Sequence, residues 1–88
     1  ENISLLIFPN PVKNYFSIQI NSKKSTELTS IQIHNVSGQL VKEWEMKKEI
    51  VFGKNIIQLD LSENIPIGQY ILSVKIQNNI YSTKWLKK

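Results

Sequence analysis

The sequence predicts an all-β domain, a seven-stranded antiparallel immunoglobulin-like β-sandwich. Three observations carry that prediction. Alanine, the strongest helix former, is absent from the 88 residues, while Ile, Val, Thr, Tyr, Phe and Trp are plentiful. Apolar and polar residues alternate in several runs, the signature of strands with one buried face. Turn-forming clusters separate these runs at fairly even spacing, as short strands of a sandwich or barrel require.

The first strand, predicted over 4–8, stops at Pro9, Asn10 and Pro11. Each proline lacks a backbone N–H, and Pro11 pushes Asn10 towards extended geometry, so no regular ladder runs through the tripeptide. It reads as a rigid corner. A second strand, 14–21, alternates Phe16, Ile18 and Ile20 with Ser17 and Gln19. A third, 29–35, alternates Ile31 and Ile33 with Gln32 and His34, and VSGQ then turns the chain into a fourth at 39–46. There Leu40, Trp44 and Met46 share one parity, and Lys42 interrupts the apolar face. After FGKN comes a fifth strand, 55–61, with Ile57, Leu59 and Leu61 in phase. IPIG precedes the clearest strand, 69–77, which places Tyr70, Leu72, Val74 and Ile76 on one face. The last strand, 80–86, mixes its parities: Ile80 and Leu86 oppose Tyr81 and Trp85, which calls for a bulge or for an edge covered on both sides.

At 88 residues the chain makes one domain, 1–88, with a thin core. It has no cysteine, hence no disulfide framework and no thiolate metal site. No apolar run approaches the length of a membrane-spanning helix, and Glu1 stands where a complete chain would start with Met, so the sequence reads as a piece of a longer protein. The net charge is +4, and all eleven basic residues are lysine. Without arginine the bidentate contacts that dominate phosphate and guanine recognition are missing, which argues against nucleic acid as a partner.

Candidate chemistry is sparse. His34 is the single histidine and lies on the polar face of its strand, with no acid–base partner indicated. Asp60 and Glu63 flank a strand end without the oxygen-rich loop that calcium needs, and read as turn and capping residues. Gly38, Gly53 and Gly68 sit singly in separate turns, where each supplies a positive φ, and form no phosphate loop. Asn2 and Asn35 head N-x-S sequons of low specificity. Tyr15, Tyr70, Tyr81, Trp44 and Trp85 are the residues from which a sugar-binding platform would be built, although aromatics on strands more often supply core. No catalytic residue, metal ligand or cofactor site is expected.

The turns taken together carry the strongest signal. FPNPV is followed by IQIHNVSGQLVKEWE, then by IIQLDLSENIPIGQYILSV, then by a closing TKWLKK. This order resembles the C-terminal sorting domain, type A, of proteins exported by the type IX secretion system in the Bacteroidetes phylum. The resemblance runs from about Leu6 to Lys88. That family opens on a YPNP-like segment, continues with I-x-I-x-D-x-x-G-x-x-V and L-x-x-G-x-Y, and closes on a short apolar, lysine-bearing strand. The matching positions are Pro9, Asn10 and Pro11, then Ile31, Ile33, Gly38 and Val41, then Gly68 and Tyr70, then Lys84, Leu86, Lys87 and Lys88. Phe8 replaces the usual Tyr, Asn35 the usual acid, Ile65 with Pro66 the usual leucine segment, and Trp85 is added to the tail.

The resemblance implies a non-catalytic address for an upstream passenger, with 1–5 as the junction. It implies the outer-membrane translocon and a sortase-like surface peptidase as partners, a route through the periplasm, and a destination at the cell surface or in the medium, without insertion into the membrane. The expected reading surface is the strand 80–86 with Lys84, Lys87 and Lys88, since a terminal strand offers unpaired N–H and C=O groups to a partner. The alternative is a carbohydrate-binding or adhesive immunoglobulin-like module.

Overall fold

A computed structural model describes residues 2–61 and 65–88, so Glu63 lies outside the described residues. Seven strands follow in order: β1 (Ile3–Phe8), β2 (Tyr15–Ser22), β3 (Thr26–Asn35), β4 (Leu40–Ile50), β5 (Gly53–Asp60), β6 (Gly68–Ile76) and β7 (Asn79–Lys87). They form two antiparallel sheets, β1-β2-β5 and β4-β3-β6-β7, with no helix among the described residues. The sandwich is the expected one. Its fourth strand pairs with the third, whereas in a constant-type immunoglobulin domain the fourth joins the sheet of the first two.

The core lies between the sheets and is built from one face of each strand. Phe16, Ile18 and Ile20 on β2 face Ile31 and Ile33 on β3 and Leu72 and Val74 on β6, all buried. Burying a side chain of this size stabilises a fold by about 1.5–3 kcal/mol. The alternation on β6 is as expected, with Tyr70, Leu72, Val74 and Ile76 all inward.

Three expectations about strands need correction. β3 begins at Thr26, ahead of 29, because a register shift between Leu28 and Ser30 makes Thr29 an extra residue, so Leu28 and Ile31 both point inward despite odd spacing. β4 runs on to Ile50 beyond 46, since its Lys-rich stretch pairs with Thr26, Glu27 and Leu28 along an exposed edge before Ile50 returns to the core. A second shift, between Ile33 and His34, skips Val41. Leu40 therefore turns out to solvent while Val41, Trp44 and Met46 pack against the core. Lys42, opposite Ile33, keeps its place on the inner side by laying its Nζ 5.6 Å from the Trp44 ring centre.

The mixed parity of the last strand has a simple resolution that needs no bulge. β7 pairs with β6 in unbroken register from Asn79 to Lys87, with Tyr81, Thr83, Trp85 and Lys87 turned inward. Ile80 and Leu86 are the outward residues. The aromatic side chains win the inner face because they bury more apolar area than the aliphatic ones they displace.

The crossover from β4 to β5 is held by one polar side chain. Asn55 is 9% exposed; its Oδ1 accepts the Val51 N–H at 2.9 Å, and its amide N–H groups donate to the carbonyls of Val51 at 3.0 Å and Ile20 at 3.1 Å. Gly53 supplies the φ of 101° that the turn needs. Asn55→Ala would leave these buried groups unpaired, at a cost of about 1–3 kcal/mol. A melting temperature lower by about 10 °C is expected in thermal unfolding, and an unchanged one would contradict this account.

Candidate functional site

The proline corner moves the chain from one sheet to the edge of the other. β1 pairs with β2 as far as Phe8. Pro9 and Pro11 have no N–H to continue that ladder, and both follow cis peptide bonds. Val12 is the first residue past the prolines that can donate, and it does so to β7. Its N–H donates to the Leu86 carbonyl at 2.7 Å, and its carbonyl accepts the Lys88 N–H at 2.7 Å, forming a parallel bridge with Lys87. The Asn10 Oδ1 accepts the Leu86 N–H at 3.1 Å. Both outward backbone groups of Leu86 are thus engaged by the corner, and the Val12 side chain is fully buried beneath them.

The same tail is pinned from inside. Trp85 is 2% exposed and stacks on Phe16 at 5.7 Å and on Tyr70 at 5.2 Å between ring centres. Trp44 also meets Phe16 edge-on, at 6.3 Å between ring centres. The Tyr70 hydroxyl donates to the Pro66 carbonyl at 2.6 Å, four residues upstream. This is a tyrosine corner, which holds the loop entering a sandwich's penultimate strand. Lys87 is also inward and largely buried, and its Nζ donates to the Lys88 carbonyl at 3.0 Å. Lys84, Leu86 and Lys88 project outward.

The structure sorts the residues singled out by sequence. Asn10 bonds directly to Leu86, Pro9 and Pro11 flank it, and Lys87 and Lys88 are joined to the corner through Val12. Gly68 lies opposite Lys87 on β6, and Tyr70 opposite Trp85. Gly38 and Val41 belong elsewhere, to the β3–β4 hairpin. Gly38 has φ of 89°, and the Asn35 Oδ1 accepts the N–H groups of Ser37 and Gln39 at 3.0 and 2.9 Å. Asn35 does there what an acidic side chain would do. Val12 is the residue that sequence reading passed over, and Phe16, placed on an inner face by its alternation, was not linked to the tail. The signal for Val12 was its position as the first N–H donor after the second proline.

The aromatic residues do not form a platform. Tyr70 and Trp85 are buried, Trp44 and Tyr81 half-buried, and Tyr15 is exposed on the other sheet. The stack consumes the rings that a sugar would need. Among the described residues no cluster of three or more His, Asp or Glu is placed to hold a metal ion, and no helix is long and apolar enough to cross a membrane.

Residues 6–88 match the family model described as the secretion system C-terminal sorting domain. The chain belongs to that family. No curated protein matches it. The sorting domain is a C-terminal signal for type IX secretion and marks proteins exported to the cell surface or medium. Its first and last motifs, 76 positions apart in the chain, are in direct contact.

Two substitutions separate the inner from the outer anchor of the tail. Trp85→Ala removes the stack and costs about 3–5 kcal/mol, a large part of the stability of a domain this size, so loss of near-ultraviolet dichroism is expected. Asn10→Ala removes one exposed acceptor at about 1 kcal/mol. The sorting domain stays folded, and the Leu86 amide exchanges with solvent measurably faster. Unchanged exchange at that amide would contradict the geometry.

Proposed function

We propose that the sorting machinery grips this domain at the junction of corner and tail, with Pro9, Asn10, Pro11, Lys84, Leu86 and Lys88 as its reading surface and the inward Lys87 holding that surface from beneath. Gly38, Val41, Gly68 and Tyr70 serve by building the sandwich that presents it. The observation that supports this is the three-bond attachment of Leu86 and Lys88 to Asn10 and Val12, which turns the tail into a fixed surface with Lys84, Leu86 and Lys88 facing out. The partners we assign are the type IX outer-membrane translocon and a sortase-like surface peptidase. The passenger joins ahead of the sandwich, at residues 1–5, and supplies whatever catalytic or adhesive activity the whole protein has. The domain itself contributes an address: a rigid surface with lysines at its rim and no convergent acid, base or nucleophile among its described residues.

Deletion of the whole tail is a poor test, because removing Trp85 empties the core. Leu86→Asp combined with Lys88→Glu alters only outward groups. With the passenger attached, that double variant should keep the wild-type melting temperature and accumulate in the periplasm, with secretion reduced at least tenfold. Secretion at the wild-type level from a folded double variant would refute this reading surface.

A further inference from the structure

The molecule has four edge strands, β1, β5, β4 and β7, and they are protected unequally. β4 carries six charged residues, from Lys42 to Glu49, and β5 carries Lys54 and Asp60. Charges of this kind discourage another chain from pairing with an exposed edge. β1 has none, and on β7 Lys87 is turned inward at the stretch the corner already covers, which leaves Lys84 as the outward charge along its edge. These two poorly guarded edges lie side by side. An open slot of about 340 Å³ separates them, lined by Ile3, Leu5, Ile80, Ser82 and their neighbours.

The hydrogen-bonding direction along each edge follows from the register. Opposed residues in an antiparallel ladder alternate between bonding one another and facing away. Leu86 directs its N–H and C=O to the corner, so the even-numbered residues of β7 face away from β6. Ile80 and Ser82 therefore present their N–H and C=O groups to the slot, and Lys84 continues the same open edge beyond it. On β1, Asn2 accepts from the opposed Lys23, so Ile3, Leu5 and Ile7 turn theirs away from β2, those of Ile3 and Leu5 to the same slot. The corner closes the β7 edge at Leu86, which limits the open stretch to Ile80–Lys84.

The electrostatics select what enters. Every charged residue on β1, β6 and β7 is a lysine: Lys75, Lys84 and Lys87. Lys75 lies directly opposite Ile80. We propose that the slot between β1 and β7 accepts an extended segment of a partner protein, which adds as a strand to β7 along Ile80–Lys84 and carries acidic side chains towards Lys75 and Lys84. Backbone pairing supplies the attachment and the lysines supply the selectivity. This rests on the domain being a sorting signal, and its stretch of β7 shares Lys84 alone with the reading surface at the corner junction.

Ser82→Pro tests it, since proline removes an outward N–H and spares the ladder to β6. The variant is made in the domain with its passenger attached, in a type IX-secreting cell, and its melting temperature is measured in parallel. The expected result is a folded protein whose secretion falls at least tenfold while Lys48→Glu, on β4, secretes normally. If Ser82→Pro does not fold, Lys75→Glu with Ile80→Glu decides the question by the same readout, because both side chains are exposed and lie outside the corner junction. Wild-type secretion from whichever variant is folded overturns the proposal. A wild-type dimer in sedimentation that Ser82→Pro abolishes overturns it too, in favour of pairing with a second copy. Retention of the unmodified domain would instead reject the sorting role itself, so the two failures are distinguishable.

Discussion

The stack of Phe16, Trp85 and Tyr70 is the constraint on which the rest of the molecule depends. Phe16 comes from the three-stranded sheet, and Tyr70 and Trp85 from neighbouring strands of the four-stranded one. Face-to-face aromatic contact across the layers sets the separation of the sheets at this end and concentrates much of a thin core's buried area in three side chains. It also decides the orientation of β7. With Trp85 inward, Leu86 must point out and its backbone groups must face away from β6, where Asn10 and Val12 receive them. Tyr70 adds a second hold through its hydroxyl on Pro66, tying the β5–β6 crossover to the same cluster.

The prolines act through what they lack. A strand that continued past Phe8 would stay on β2, and the tail would be left as a bare edge. Two residues without N–H groups end that ladder, and the chain steps across to the other sheet at Val12. The corner is thus a covalent link between layers and a cap on the last strand. The chemistry of a missing donor, local to Pro9 and Pro11, becomes a tertiary contact with the far end of the chain.

Charge completes the functional picture. A sorting domain has to remain folded and soluble, yet offer a surface for another protein. β4 meets the first demand with three Lys and three Glu interspersed along an exposed edge. The side holding β1, β6 and β7 is sparsely charged and wholly basic, and it is the side that the proposed recognition uses. Lysines on flexible stems at Lys84 and Lys88 fit a reading role better than a structural one, whereas the buried Lys87 is part of the fold.

The all-β class, the strand count and most inner faces were legible in the sequence, because alternation and turn chemistry depend on residues a few positions apart. Phe16, Ile18 and Ile20 declare their face by spacing alone, as do Tyr70, Leu72, Val74 and Ile76. The positive φ at Gly38 and Gly53 is likewise a local demand. The bulges at Thr29 and Val41 were hidden, since a bulge is a mismatch between two strands and neither strand carries it by itself. For the same reason the inward turn of Trp85 against the outward turn of Leu86 was decided by the partners each side chain found. Sequence marked the corner and the tail as separate features; only the packing of the β1–β2 ladder against the β6–β7 ladder brought Asn10 to Leu86 across 76 positions. Contacts at that separation are set by the global packing of the sheets, which no window of neighbouring residues encodes.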